Sequence, residues 1–371
     1  KKALMSVLHI STATGWRGGE QQAAYLIRQL EILQTTCFLL CPKDAAIIQH
    51  LNKYDCKIEV FQKGTALNLP LAIKIKKYCK DNQVDLIHTH DSHAHTAAFL
   101  SAWLFGNKCP VVVSRRVDFA VSSSWFSYLK YNHSSIKKII CVSDAIRQIT
   151  SPAIKRKNIL EVVHSGVDTE KFVLGKTKLH QEYQLPKETF LIGNVSALAD
   201  HKDLFTFIDT AEIILQQTQQ VHFFLIGDGT EMNALQARVA EKKLTDNIHF
   251  TGFRNDINEL LPELNLFLMT SKTEGLGTTI LDAFAAQVPV VATQAGGIPE
   301  IVQHEKTGLI APVGNAKQLA THAMAVMNDR NLAKTLSTNA QQLVSEYTFR
   351  RTAEKTKAVY VKVLQEQKSD I

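Results

Sequence analysis

The sequence lacks any run of about eighteen consecutive apolar residues, which is roughly the length that a membrane-crossing helix needs. The pattern therefore predicts no transmembrane helix, although 45% of the 371 residues are hydrophobic. The first ten residues, KKALMSVLHI, contain only a brief apolar run with no small-residue cleavage site behind it. We expect a buried first strand there rather than a signal peptide, and a cytoplasmic protein.

Cysteine is scarce and confined to the first half of the chain. The six thiols are Cys37, Cys41, Cys56, Cys79, Cys109 and Cys141. Without export there is no reason to pair them, so buried, reduced thiols are the expectation. Cys37 and Cys41 are four residues apart, but no matching ligand cluster follows, which argues against a metal site.

Acidic residues are few in the first half. Residues 1–170 carry 22 Lys+Arg against 13 Asp+Glu, whereas residues 171–371 carry 20 against 22. A basic half favours a polyanionic partner. No nucleic-acid motif is present and the lysines are scattered, so we expect no nucleic-acid binding. An anionic membrane surface or a lipid diphosphate acceptor fits better, which predicts peripheral contact with the cytoplasmic face of a membrane.

Apolar strand-like runs alternate with helical patterns along the whole chain. Seven runs precede residue 164, and six more lie between residues 189 and 311. Such alternation is typical of α/β proteins with parallel sheets and right-handed crossovers. The length suggests two domains, and the polar stretch 174–187 suggests the boundary. We predict Rossmann-like domains over residues 1–175 and 176–349, followed by a C-terminal helix over 350–371.

The most informative segment reads SKTEGLGTTILD, from Ser271 to Asp282. A carboxylate, Glu274, stands before the turn Gly275-Leu276-Gly277, and a helix is predicted to begin near Thr278. Glycines allow backbone N–H groups to approach a ligand, and a helix N-terminus favours anionic oxygens. The alternative is a polar loop that caps an ordinary helix.

The flanking sequence favours the ligand-binding interpretation of this segment. An apolar run at 264–269 precedes it, and Val288-Pro289-Val290-Val291-Ala292-Thr293 follows the helix. Strand, loop, helix and strand form a parallel βαβ unit, and such sheets bind ligands at the carboxyl ends of their strands. Glu274 could accept bonds from sugar hydroxyls, and Asp282 could bind a ribose diol. The segment predicts a nucleotide-sugar site.

This segment closely resembles the retaining glycosyltransferases of family 4. Their pattern is a Glu, seven residues and a second Glu, then a Pro-Val-Val-Ala-Thr strand and a Gly-Gly-x-Pro-Glu turn, which here is Gly296-Gly297-Ile298-Pro299-Glu300. The second carboxylate is Asp282 in this chain, which shortens its reach by one methylene. The resemblance implies the GT-B fold, with two Rossmann-like domains facing across a cleft and the last helix packing back on the first domain.

The resemblance also implies further donor contacts. Gly18 and Gly19 match a glycine-rich loop that faces the donor diphosphate. Lys202 matches a lysine that stabilises the leaving group, and it forms the predicted catalytic pair with Glu274. Many relatives carry an arginine in the triplet that matches Ser196-Ala197-Leu198, and this chain has none. Ser196, His201 or Arg17 could share that role.

Other residues are assigned with alternatives. Arg254 lies where relatives hold the nucleobase, and a surface role is equally consistent with its position.

A dense histidine cluster follows the fourth strand. We interpret one face of this cluster as core and His90 or His95 as lining the acceptor side, together with Arg115 and Arg116. The turn Leu225-Ile226-Gly227-Asp228-Gly229 lacks the third glycine of a dinucleotide fingerprint, which excludes a nicotinamide site.

The segment WFSYLKY at 125–131 mixes aromatic residues with a cation. A buried helix face is the simpler interpretation, and a segment that meets lipid is the alternative.

The sequence as a whole predicts a retaining, metal-independent glycosyltransferase with no cofactor. It would transfer a sugar from a nucleotide sugar to a glycan or lipid-linked acceptor, in polysaccharide or lipopolysaccharide synthesis. The rivals are a GT-B-type epimerase and a catalytically silent nucleotide-sugar-binding protein.

Overall fold

The computed structural model describes residues 5–64 and 67–369, and the side chain of Ser369 is not described. The chain divides into two compact units. The first contains Lys1–Gly166 and Phe349–Ile371, and the second contains Val167–Thr348. Within the described ranges, no helix combines the length and the apolar character that a bilayer crossing requires.

The first unit is built on a seven-stranded, fully parallel sheet. The strand order is β3-β2-β1-β4-β5-β6-β7, so the chain reverses direction along the sheet between β1 and β4. The strands are β1 Ser6–Ile10, β2 Thr36–Pro42, β3 Lys57–Phe61, β4 Leu86–Thr89, β5 Val111–Arg115, β6 Ile136–Cys141 and β7 Leu160–Val162. The five inner strands are almost wholly buried on both faces, as expected for a parallel sheet covered by helices, whereas the edge strands β3 and β7 are partly exposed. Leu4, the predicted start of β1, lies outside the described residues.

Helices cover both faces of this sheet. They are α1 Gly18–Ile32, α2 Ile47–Leu51, α3 Leu69–Asp81, α4 Ser92–Trp103, α5 Trp125–Asn132, α6 Asp144–Thr150 and the last helix of the chain, α15 Phe349–Ser369. Short 3₁₀ turns occur at Ser151–Ala153 and Lys157–Ile159. Along α15, Ala353, Thr356, Tyr360 and Val363 recur at helical spacing and are buried. This stripe packs with α1 in one core cluster of the first unit.

The second unit has a six-stranded parallel sheet in the order β10-β9-β8-β11-β12-β13. Its strands are β8 Phe190–Val195, β9 Val221–Ile226, β10 Ile248–Gly252, β11 Leu266–Met269, β12 Val290–Thr293 and β13 Leu309–Ala311. The chain again reverses direction between β8 and β11. Open α/β sheets bind ligands at such a switch point, outside the carboxyl ends of the strands.

The helices of the second unit fill the connections between strands. They are α7 Lys178–Glu182, α8 Leu204–Leu215, α9 Met232–Glu241, α10 Ile257–Leu260, α11 Thr278–Ala285, α12 Ile298–Ile301, α13 Ala316–Asn328 and α14 Arg330–Val344. Three 3₁₀ turns lie at Asp200–Lys202, Leu261–Glu263 and Ser345–Tyr347.

All thirteen predicted strand runs overlap strands of the two sheets, and the doubly wound parallel architecture is confirmed.

The chain enters the second unit at Val167, nine residues before the predicted boundary after residue 175. The Val167 N–H donates to the Tyr347 carbonyl at 2.8 Å, and the Val173 N–H donates to the Asn258 carbonyl at 2.9 Å. Backbone hydrogen bonds thus tie this segment to the second unit. Sequence composition does not reveal them, because their partners are distant in the chain.

Candidate functional site

The central pair of the second unit is Lys202 with Glu274. The Lys202 ammonium lies 2.5 Å from Glu274 Oε1, and both side chains are largely buried, with 17% and 11% exposed. Ser271 Oγ donates to the same carboxylate oxygen at 2.8 Å. The structure therefore brings together the two residues that the sequence assigns to catalysis, although 72 positions separate them.

Two further bonds hold these loops together after the ends of β8 and β11. The Thr270 hydroxyl donates to the Lys202 carbonyl at 3.1 Å, and the Lys272 N–H donates to the His201 carbonyl at 2.8 Å. Each bond joins the segment that carries the lysine to the segment that carries the glutamate. The pair is thus positioned by backbone contacts as well as by its own charge.

A glycine turn supports Glu274 from the other side. Gly296 has a φ of +51°, and a Cβ at this position would lie 2.0 Å from the Glu274 carbonyl oxygen. The Gly297 N–H donates to that carbonyl at 3.0 Å. Only glycine tolerates this conformation and this approach. The Gly-Gly turn after β12 therefore positions Glu274, a role that the motif did not reveal.

Helix α11 begins beside this pair. Gly277 adopts a φ of +86° and precedes Thr278, and no side chain caps the N-terminal N–H groups. An uncapped helix N-terminus favours anionic oxygens, through both the free N–H groups and the helix dipole. The side chain of Leu276 points into the core, so this residue could contact a ligand only through its backbone.

Asp282 lies one turn into α11 and forms an ion pair with Lys171. The Lys171 ammonium is 2.7 Å from Asp282 Oδ1. Burial raises the pKa of Asp282, and the lysine beside it opposes that shift. The sequence assigned Asp282 to a ribose diol without identifying Lys171. Because the Asp282 carboxylate is already paired with Lys171, a ribose diol would have to compete with the lysine for the carboxylate oxygens.

The loop after β8 packs directly against the turn after β9. A Cβ at Gly227 would lie 1.9 Å from the Ser196 carbonyl oxygen, and a Cβ at Gly229 would lie 2.3 Å from that of Leu198. Ser196 Oγ donates to Asn194 Oδ1 at 2.6 Å. These glycines therefore permit close packing of two loops, which explains their presence without a dinucleotide.

Arg254 is held by two carboxylates in the second unit. Its guanidinium donates to both oxygens of Asp256 and to Glu182, each at 2.9 Å. The pairing raises the pKa of Arg254 and lowers that of Asp256. This arrangement favours a structural role over a contact with the nucleobase, because the donors that would bind a base already have partners.

In the first unit, Gly18 and Gly19 open helix α1. The Arg17 N–H donates to Glu20 Oε2 at 2.8 Å, which closes the first turn. A Cβ at Gly15, Gly18 or Gly19 would meet no atom within 4 Å. The fold of this unit therefore does not require glycine here, in contrast to Gly296, and an approaching ligand remains the predicted reason.

A histidine cluster lies at the carboxyl ends of β1 and β4. Nitrogens of His9, His88 and His90 lie within 4.8 Å of one another. His9 Nδ1 is 2.9 Å from His90 Nε2, and His88 contacts the Tyr360 hydroxyl at 2.5 Å. Burial lowers the pKa of His9 to about 3, with a smaller effect from Arg116, and lowers those of the other two well below their usual value.

Neutral imidazoles can ligate a metal, so the cluster offers three possible ligands. The guanidinium of Arg116 lies 3.5 Å from His90 Nδ1 and would repel a cation. The hydrogen bonds instead link the ends of β1 and β4 to helix α15 through Tyr360. His9 was not recognised from the sequence, because it stands on a different strand from the dense cluster at 88–95.

The acceptor-side prediction requires correction at two residues. His95 is fully buried, with its ring edge-on to Tyr131, so it does not line a surface. Arg115 is buried too, and its guanidinium donates to the Tyr131 hydroxyl and to the Phe119 carbonyl. Arg115 faces inward because alternate residues of a strand point to the same side of the sheet, and helices cover both sides here. His95 faces inward because it lies on the side of α4 that packs on the core.

Arg116, by contrast, lines a small cavity with Ser114 and Ser165. It contacts His90 through that residue's ring and carbonyl. His90 and Arg116 thus form a polar cluster at the carboxyl end of the first sheet. The acceptor-side assignment stays a prediction for these two residues.

The chain has two doubly wound units, as in the GT-B class of glycosyltransferases. A lysine–carboxylate pair and an open helix N-terminus lie at the switch point of the second unit. Two family models match the chain: Glycosyltransferase Family 4 over residues 16–171 and Glycosyl transferases group 1 over residues 175–343. Together these models span most of the chain, which is therefore a glycosyltransferase built from these two domains.

Curated relatives and solved structures agree with this assignment. The N-acetyl-alpha-D-glucosaminyl L-malate synthase of Bacillus anthracis is 24% identical over 81% of both chains. The UDP-Gal:alpha-D-GlcNAc-diphosphoundecaprenol alpha-1,3-galactosyltransferase of Escherichia coli is 23% identical over 90% of this chain and 92% of its own. HepE of Anabaena, solved with UDP and glucose, superposes with a TM-score of 0.83 at 22% identity, covering 96% of this chain and 100% of HepE.

Proposed function

We propose that this glycosyltransferase moves a sugar from a nucleotide-diphosphate sugar to a hydroxyl of a glycan or lipid-linked acceptor, with retention of configuration. The observation that carries the proposal is the buried Lys202–Glu274 pair beside the uncapped start of α11. The pair combines a cation for the diphosphate with a carboxylate for the sugar hydroxyls. The helix N-terminus adds backbone donors for phosphate oxygens.

In this mechanism the bond from the anomeric carbon to the diphosphate breaks first, and its electron pair leaves with the diphosphate. Lys202 stabilises the negative charge that develops on the leaving group. The acceptor oxygen attacks from the face that the diphosphate has left, which retains configuration, and its proton passes to a phosphate oxygen. Glu274 orients the sugar through its hydroxyls. The charges come from the chain itself, so we propose that no metal ion or cofactor takes part.

Our proposal for the donor base is supported by comparison with relatives rather than by the site itself. HepE binds UDP and glucose, and a further relative from Mycobacterium tuberculosis is a GDP-mannose-dependent mannosyltransferase. We therefore propose a UDP- or GDP-sugar as donor. The named relatives use lipid diphosphate, phosphatidylinositol mannoside and L-malate acceptors. The basic first unit suits an acceptor that carries an anionic group, with His90 and Arg116 as its proposed contacts.

The first experiment is a thermal-shift series with UDP, GDP and ADP and their sugars, in magnesium and in EDTA. A ligand that binds the folded state raises the melting temperature by mass action. We expect one nucleotide to raise it equally in both buffers. A shift that requires magnesium would contradict metal independence, and no shift with any nucleotide would contradict the proposed donor class.

Turnover then separates the proposal from its rivals. With the donor identified, proton NMR should show a product whose anomeric configuration matches that of the donor. Inverted configuration would refute retention. Interconversion of the nucleotide sugar without an acceptor would indicate an epimerase instead. Tight donor binding without turnover, across a panel of glycan and lipid acceptors, would indicate a silent binding protein.

A further inference from the structure

Three neighbouring helices of the first unit expose large apolar side chains to solvent. Ile73 lies on α3, Trp103 and the adjacent Leu104 at the end of α4, and Trp125 and Tyr128 on α5. Trp125 is 70% exposed, and Trp103 is 43% exposed. We call these five residues, with the lysines described below, the α3–α5 surface. Contiguous apolar exposure of this kind marks a site of interaction.

The five residues surround one small core. The buried ring of Phe99 on α4 stacks on Trp103 at 5.3 Å and meets Phe126 of α5 edge-on at 5.8 Å. Ala72 of α3 belongs to the same buried cluster. Ile73 follows Ala72, and Trp125 precedes Phe126, so the exposed side chains lie on the outer side of this core. Trp125 and Tyr128 are three residues apart and share a face of α5.

The same surface is basic. Lys76, Lys77 and Lys80 continue the exposed stripe of α3 beyond Ile73 at helical spacing. Of the other lysines on these helices, Lys74 pairs with Glu59 and Lys130 is buried, so the exposed charge of the surface comes from these three, beside one acidic residue, Asp81. Lys76 and Lys80 also line a groove with Lys108, which follows α4. Aromatic side chains beside lysines match the boundary between lipid acyl chains and anionic headgroups.

We propose that the α3–α5 surface docks the protein on an anionic lipid bilayer. Trp103, Leu104, Trp125 and Tyr128 would enter the headgroup region, while the lysines contact lipid phosphates. Charge complementarity selects lipid over a second copy of this chain, because two such basic surfaces repel each other. The proposal does not depend on the chemistry of the second unit, and its test needs no donor or acceptor.

The test is binding of the full chain to vesicles of phosphatidylcholine with and without phosphatidylglycerol, measured by co-sedimentation. All three tryptophans of the sequence, Trp16, Trp103 and Trp125, lie in the first unit. Trp16 stacks on His50 of α2 at 3.5 Å and packs against the core cluster formed by α1 and α15. Binding should therefore shift the emission of Trp103 and Trp125 to shorter wavelength, and brominated lipid should quench them. The emission of the Trp103→Phe/Trp125→Phe variant, which retains only Trp16, should not respond.

Matched variants decide which surface binds. Trp125→Ser with Tyr128→Ser should weaken vesicle binding about tenfold, whereas Phe253→Ser, which is also 70% exposed but lies in the second unit, should leave it unchanged. Lys76→Glu, Lys77→Glu and Lys80→Glu together should weaken it about a hundredfold, since each lysine near an anionic surface contributes about a fivefold factor. The same change at exposed Lys43, Lys53 and Lys155 is the control for net charge.

Each of the other outcomes would overturn the proposal. The wild type could fail to bind anionic vesicles at low salt, or the control variants could lose binding as fully as the surface variants. Analytical ultracentrifugation could instead show a dimer that the Trp125→Ser/Tyr128→Ser variant disrupts, which would assign the surface to a protein contact. Thermal melting of every variant establishes that the fold is intact.

Discussion

The two units share an architecture and differ in their surfaces. Each has a parallel, doubly wound sheet, but the first carries 28 Lys+Arg against 14 Asp+Glu, a net charge of +14, while the second carries 14 against 21, a net charge of −7. Among the described residues, thirteen large apolar side chains are exposed on the first unit and four on the second. The packing of a parallel sheet constrains the interior, so the surface of each unit is free to suit its own contacts.

The difference also bears on the proposed binding of an anionic donor by the second unit, whose net charge is negative. A single buried lysine and a helix N-terminus act at short range, where surrounding protein screens them less than water would. Net charge acts at longer range and steers association. The local pair in the second unit and the distributed charge of the first therefore predict different responses to mutation.

The largest expected effect is on catalysis by the second unit. Glu274→Ala should reduce transfer about a thousandfold or more, because it removes the carboxylate that orients the sugar and leaves Lys202 without its partner. Initial rates with the identified donor and acceptor measure the loss. The control is Glu188→Ala, at an exposed position of the same unit. Unchanged activity in Glu274→Ala, with normal folding, would refute the proposed site.

Alanine substitution of one glycine in each unit tests whether the two glycines have different roles. Gly296→Ala should cost about 2–4 kcal/mol of unfolding free energy, because its φ is positive and its Cβ would overlap the Glu274 carbonyl. Gly18→Ala should change stability by less than about 1 kcal/mol, since its Cβ meets no protein atom.

Urea denaturation measures the stability of both glycine variants. The donor dissociation constant of Gly18→Ala should nevertheless rise about tenfold if a diphosphate approaches this turn closely. An unaffected dissociation constant would remove Gly18 from the site. Equal stability losses in the two variants would contradict the structural distinction between the glycines.

Acid should destabilise the first unit more than the second, in which His222, His249 and His322 also have lowered pKa values but are only partly buried. Four of its histidines, His9, His88, His90 and His95, are buried, and burial depresses their pKa values, that of His9 to about 3. The unfolded chain takes up protons near pH 6.5 while the folded unit does not. Stability is therefore complete above that pH and falls as the pH drops toward 3, by about 1 kcal/mol per pH unit for each such histidine.

Tryptophan fluorescence during urea unfolding at pH 7, 6 and 5 measures this slope, since all three tryptophans lie in the first unit. His95→Leu should flatten it, because His95 is fully buried and lies near the Lys130 ammonium, and both effects lower its pKa. Exposed His93→Leu should leave the slope as it is. A slope independent of His95 would contradict the assignment.

The smallest effect is expected at Arg254. Arg254→Ala should cost about 1 kcal/mol, because it breaks ion pairs at a partly exposed position. As a structural arginine it should leave the donor dissociation constant within about twofold of the wild type. Calorimetric titration with the donor nucleotide tests this. A large loss of affinity would restore the predicted contact with the base.

Much of the fold was predictable because its signals are local. Buried parallel strands such as Val221–Ile226 and Val111–Arg115 read as short apolar runs, and glycine turns mark their ends. Glu274 and Lys202 were identified through the motifs around them. The assignments of His95 and Arg115 to an acceptor surface were wrong, since a polar residue at a strand end can face either the solvent or the core. Sequence spacing alone does not distinguish the two.

The sequence by itself determined the alternation of strands and helices, the two-unit organisation and the segment that holds Glu274, because apolar periodicity and glycine placement act over a few residues. The tertiary structure alone decided which distant groups meet. It brought Lys202 to Glu274, Lys171 to Asp282 and His9 to His90, and it packed the Gly296 turn against the backbone carbonyl of Glu274. Such contacts depend on the order in which strands join a sheet, and residues far apart in the chain become neighbours only after that order is established.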